Sequence, residues 1–227
     1  MKTITTFAIA TLIVASAAAL AQTTDAPRAP KILVEKPGLV TTLDNDGGRV
    51  ELYAPDHASR SIEYHGGAVV HEPLVELLFV GTWEPARVSQ LRHAVDHISA
   101  TDAFQAAQEH GVKSTALPIT VRALEGRKTM NDLDLQSMMD RAIENGSLPS
   151  RRDDTIYVLF LSRDISSTLG EKSAGTDYAS YHSHFHSHDV NVRYVVVPFH
   201  EDVHAMNAAT SASLMRAILN PDGDGWY

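Results

Sequence analysis

The chain has 227 residues, 44% apolar, 21% charged and 7% aromatic, with no cysteine and a formal charge of −9. That length supports one core-bearing domain without staples, and the missing thiols exclude a cysteine nucleophile, a thiolate metal site and a disulfide framework. The negative balance argues against nucleic acid and anionic membrane as partners.

Lys2 precedes an uncharged run over 7–20 that ends in Ala19-Leu20-Ala21. It is shorter than the roughly 20 residues of a membrane span and closes on small residues, so 1–21 reads as a signal peptide cleaved before Gln22. The expectation is a secreted or periplasmic protein with no membrane span in its mature form. Residues 22–48 read as an extended linker, with three prolines between Thr23 and Pro37, and 49–227 as a single α/β domain.

Within that domain, short strands are predicted at Arg49–Tyr53 and 61–64, and a buried central one at Leu74–Val80, where an apolar run ends at Gly81. Pro85 suits a first helical turn, and Val88, Leu91, Val95 and Ile98 recur at helical spacing after it. A strand over 117–124 and a helix over 132–145, stopped by Gly146, come next. Thr155–Leu161 reads as a second buried strand, 178–185 and 192–197 as a strand pair, and 208–219 as a last helix closed by Asn220-Pro221. Strands alternating with helices imply a mixed β-sheet with packed helices.

The histidines are the most informative chemistry. Six of the twelve lie between His182 and His204. In a strand, alternate residues share a face, so His182, His184, His186 and His188 would present four imidazoles in a row, a ligand type suited to zinc, copper or nickel. The competing reading is a solvated His/Ser loop. His200-Glu201-Asp202-Val203-His204 matches H-E-x-x-H, in which a helix holds Zn²⁺ between two imidazoles while the glutamate, here Glu201, activates the bound water. Pro198 would place that motif at a helix start instead of its middle. His93 and His97, beside Arg92 and Asp96, read as a solvated helix face. Asn220 to Gly225 copies the first half of an EF-hand loop without its twelfth-position glutamate. No G-x-S-x-G, P-loop or dinucleotide fingerprint occurs.

At Glu63-Tyr64-His65-Gly66-Gly67-Ala68-Val69, and again at the strand leading into Phe79-Val80-Gly81-Thr82-Trp83, the chain resembles the EXORDIUM, or phosphate-induced, protein family. Tyr157-Val158-Leu159, Tyr181-His182-Ser183, 194–198, and Asn220-Pro221 through Gly225-Trp226-Tyr227 are similar to the order of elements in bacterial relatives. The resemblance implies an exported protein of no settled biochemical activity. Those relatives carry a helix like the zinc helix of a metallopeptidase, which implies a zincin-like fold. Here Ala212, Ser213 and Arg216 stand where the relatives have the ligand His, the catalytic Glu and a second Glu. The cysteines common in the family are absent, and Ala68 replaces a proline.

Three functions stay open. One is a secreted, non-catalytic or degenerate EXORDIUM-like protein that binds an extracellular ligand or partner, with a divalent metal such as zinc on its histidines. Another is a zinc metallopeptidase using His200, Glu201 and His204. The last is a His-rich metal-binding module. Any transition-metal affinity is expected to come from His182 to His204 and to fade as pH falls through about 6.5, because the ligand is neutral imidazole.

Overall fold

The two runs with nearly continuous apolar sequence lie side by side at the centre of the sheet. β5 (Leu74–Val80) and β8 (Thr155–Leu161) pair in parallel, Leu74 opposite Thr155 through Val80 opposite Leu161. The computed structural model describes residues 66–150 and 152–223 and, outside these, the backbone of 31–32, 39–43, 49–53 and 62–63 with the side chain of Tyr53. The leader over 1–21 and the C-terminal Trp226-Tyr227 of the family resemblance fall outside the described residues.

Around that pair the sheet extends to seven strands. In space they run β2 (Leu39–Leu43), β3 (Arg49–Tyr53), β11 (Ser180–Ser187), β12 (Val190–Val197), β8, β5 and β6 (Ile119–Leu124). β12, β8, β5 and β6 are mutually parallel, while β11, β3 and β2 continue antiparallel. A second sheet joins β7 (Thr129–Asn131), β9 (Ser166–Leu169) and β10 (Lys172–Ser173), and β1 (Lys31–Ile32) pairs with β4 (Ile62–Glu63). The chain is thus a mixed α/β fold with packed helices, as its alternating pattern predicts. β2 and β1 come from the stretch read as linker. Leu39-Val40-Thr41-Thr42-Leu43 is rich in β-branched residues, a signal that the neighbouring prolines masked.

Strand side chains alternate between two helical layers. Leu77, Phe79, Ile156, Val158, Phe160, Val195 and Val197 face α1 (Pro85–Ile98), α2 (Asp102–Glu109) and α4 (Val203–Leu219). There they meet Leu91, Val95, Phe104, Met206, Leu214 and Ile218. Leu78, Val80, Tyr157, Leu159, Tyr194 and Val196 face α3 (Asp132–Glu144), whose Leu135, Met139 and Ile143 close the other half of the core. Each such side chain, fully buried, contributes about 1.5–3 kcal/mol by leaving water.

The helices start where side chains satisfy free N–H groups. Asn131 and Asp134 form a reciprocal capping box on α3, and Thr101 caps α2. Asp202 Oδ1 accepts the backbone N–H of His204 at 2.8 Å, so α4 begins at Val203, five residues before the predicted start. The short, polar β7, β9 and β10 carry too little periodicity to be seen in the sequence, and α2, though amphipathic, is only eight residues long.

Two glycines let the loops at the top of the sheet nest. Gly81 follows β5 with φ +86°, and a Cβ there would overlap Ser162 Oγ. A Cβ at Gly126 would stand 2.5 Å from Ile165 Cδ1 and 2.7 Å from Val80 Cγ1.

Candidate ligand-binding site

In an open α/β sheet, a crevice forms at the carboxyl ends of two neighbouring strands whose outgoing connections lie on opposite faces. That reversal falls here between β5 and β8. From β5 the chain passes through α1 and α2 on one face to the edge strand β6, whereas from β8 it leaves through Ile165 and β9, whose Leu169 packs into the core on the α3 face. At the carboxyl ends of β5, β8 and β12 lies a cleft of about 800 Å³, lined by Thr82, Trp83, Glu84, Pro85, Arg87, Arg163, Phe199 and Glu201. The volume lies within the range of small-molecule sites.

Each wall has a local cause. Trp83 leaves β5 directly and is pinned by its indole N–H, which donates to the carbonyl of Val80 at 3.1 Å. Its ring meets Phe160 edge-on and stands 5.9 Å from Phe199, which follows β12. Two guanidinium groups lie over the Phe199 ring, Arg163 at 4.8 Å and Arg87 at 5.6 Å from its centroid. These are cation–π distances. Arg87, on the first turn of α1, donates through Nη2 to the carbonyls of His200 at 2.6 Å and Glu201 at 3.3 Å, tying the loop after β12 to α1. Its Nε is buried without a partner. Arg163 donates to Glu201 Oε2 at 2.8 Å, with both side chains about 70% exposed (69% and 71%). Pro85, with no N–H to satisfy, occupies the first turn of α1, and Glu84 before it makes no side-chain cap. On the far side of Phe199 a second hollow of about 420 Å³ is lined by Tyr53, Tyr178, Pro198, His200, Met206 and Ala209, among others.

The histidine row is only partly a row. His182, His184 and His186 share the α4 side of β11, because Tyr181 and Ser187, at the other parity, donate to Asp132 and Asp140 of α3. His182 is buried, its Nε2 3.1 Å from the Asn220 carbonyl; His186 Nδ1 lies 2.8 Å from Asn191 Oδ1. His188 has left the strand for the turn into β12, with φ +49°. His200 and His204 do not form a helical pair. His200 lies in the loop before Asp202, which caps α4, and Glu201 is tied to Arg163 instead of standing one helical residue beyond a ligand. The expectation of H-E-x-x-H on one helix is corrected here: the strong capping aspartate inside the motif starts the helix between its two histidines. Among the described residues, no three His, Asp or Glu side chains are grouped to hold a metal ion.

The other candidates have structural partners. Ser213 is buried against β11 with its Oγ 2.7 Å from Ser180 Oγ. Asp222, in the half EF-hand, receives Arg193 through both oxygens at 3.0 and 3.2 Å. His93 and His97 are exposed on α1 with rings 6.5 Å apart.

The molecule is therefore an open α/β sheet with an aromatic, arginine-bearing cleft at its switch point. Comparison of the chain with family models, with curated proteins and with solved structures finds no match. Among the described residues no helix is long and apolar enough to cross a membrane. The sequence reading missed Arg87, Arg163 and Phe199 because each is a lone residue with no motif around it. One signal was available: each follows an apolar strand by a few residues, where α/β sheets place their sites.

Proposed function

We propose that this chain is an exported, non-catalytic α/β domain that binds a small extracellular ligand in the cleft between β5, β8 and β12. The observation that carries the reading is Arg87. Its guanidinium lies over Phe199 at the switch point with a buried, unpartnered Nε, an arrangement that costs the fold free energy and that a bound acceptor would complete. The non-catalytic part is supported by α4, which offers Ala212, Ser213 and Arg216 where a zinc helix needs ligands and a base. Export rests on the leader pattern over 1–21, and the EXORDIUM resemblance agrees with it.

The test follows the indole N–H signal of Trp83 by NMR while small aromatic and anionic compounds are added to the full chain. Trp83 is identified by comparison with a Trp226→Phe variant, since the chain has two tryptophans. Binding should move Trp83 and the backbone signals of Thr82, Arg163 and Glu201, and leave the opposite end of the sheet, around Leu74 and Asp154, in place. Shifts confined to that opposite end would sink the reading.

A further inference from the structure

We infer that the ligand of this cleft is a monocarboxylate carried on a flat apolar body, and that Glu201 occupies the carboxylate's place in the unliganded protein. The inference rests on the cleft being the binding site and adds the chemical class. Arg163 is a planar, permanently charged donor suited to carboxylate. In this structure it already holds one, that of Glu201, at 2.8 Å. Exposed ion pairs contribute little to stability, so an incoming carboxylate displaces Glu201 at small cost. The backbone of the loop need not move, because Arg87 keeps hold of the carbonyls of His200 and Glu201 while the Glu201 side chain swings out. Beside this anion position stand the rings of Trp83 and Phe199, an apolar wall for the body of the ligand.

Charge selects the monoanion. The cleft lines two arginines with two glutamates, Glu84 and Glu201. A monocarboxylate replaces Glu201 one for one, whereas a phosphate dianion adds charge that faces Glu84 as well. The amino end of α1, which begins at Pro85 on the cleft wall, adds a favourable field for one negative charge.

The probes are 2-naphthoate, its neutral amide 2-naphthamide, and 2-naphthyl phosphate, each titrated into the full chain while the Trp83 indole signal is followed. Naphthoate is expected to bind about threefold tighter than the amide, the strength of a largely exposed ion pair. R163Q should erase that preference. E201Q should tighten naphthoate about threefold and leave the amide unchanged, because a competitor of exposed-pair strength has been removed. Both side chains are largely exposed, and unchanged melting temperatures confirm that the variants fold. If Trp83 responds equally to acid and amide, or if E201Q weakens naphthoate, the carboxylate assignment is overturned while the cleft stands as a site. Tighter binding of the phosphate overturns the monoanion in favour of a dianion. If none of the three compounds moves Trp83, both the assignment and the cleft reading fall.

Discussion

Two polar clusters, one on the α3 face of the sheet and one at the carboxyl ends of its strands, show how differently a protein treats polar groups that hold it together and polar groups that face a ligand. On the α3 side, Asp132 is buried and its Oδ1 accepts the hydroxyls of Tyr181 at 2.7 Å and Tyr194 at 2.8 Å, while Gln136 donates to Oδ2 at 2.8 Å and to Tyr194 at 3.0 Å. Tyr178 stacks edge-on against Tyr181 and its hydroxyl shares a hydrogen bond with Ser167 at 3.1 Å. In that cluster the donors meet acceptors inside the fold. At the carboxyl ends of the strands, Arg87 keeps an unpartnered nitrogen, and the Glu201 partner of Arg163 is exposed and replaceable. A satisfied network rigidifies; an incomplete one at an open cleft is poised to be completed by something else.

The largest test of this contrast is alkaline pH. Burial, reinforced by the nearby Asp132 charge, pushes the hydroxyls of Tyr181 and Tyr194 well above the usual tyrosine range, and burial moves Tyr178 up to about 12. A hydroxyl held neutral in the native state and free to ionise near 10 when unfolded contributes stability that is complete below pH 10. That stability is lost as pH rises toward and past 12. Unfolding followed by circular dichroism should therefore steepen above pH 10, and the last of the seven tyrosines should ionise only with it; ionisation of all seven in a still-folded protein would contradict the buried network.

Next in size is Asp132→Ala, which strands two buried hydroxyls. Urea unfolding should show a loss of about 4 kcal/mol, in the range for removing one partner of a buried charged cluster. A loss under about 1 kcal/mol would mean the network is ornamental. Ser213→Glu should cost about 3 kcal/mol, because the longer carboxylate must be buried against Ser180 where a hydroxyl now fits. In contrast, Arg87→Met should change stability by less than about 1 kcal/mol, since it trades two carbonyl hydrogen bonds for relief of a stranded nitrogen, while it loosens the loop at 200–201 and weakens binding at the cleft. Smallest of all is the effect of metal removal. Chelation with EDTA should leave the melting temperature unchanged; a drop of several degrees would show that the histidines on β11 hold an ion.

How much was legible in the sequence follows the same division. β5, β8 and α1 were readable to the residue, because burial on both faces produces continuous apolar runs and one-sided burial produces helical spacing. The alternation that puts His182, His184 and His186 on one side of β11 was readable too. The start of α4 was not, because Asp202 sits inside a pattern that also spells a zinc motif, and only the backbone shows which of the two claims the residue. Nor was the cleft legible, for Arg87, Arg163 and Phe199 are separated by dozens of residues and meet only when β5, β8 and β12 lie in register. A site built by topology leaves no motif, only the places of its residues after the apolar strands.

Gly81 and Gly126 give the cleft a history it can have and one it cannot. Next to Thr82 and Trp83, a side chain at either position would meet Ser162, Ile165 or Val80 at under or about 3 Å, so the turn that carries Thr82 and Trp83 into the cleft keeps its path only while both positions stay bare. Selectivity can be rewritten only in the walls. A library diversified at Thr82, Glu84, Arg163, Phe199 and Glu201 would explore new ligands on an intact scaffold, whereas one that included Gly81 would lose stability in most of its members.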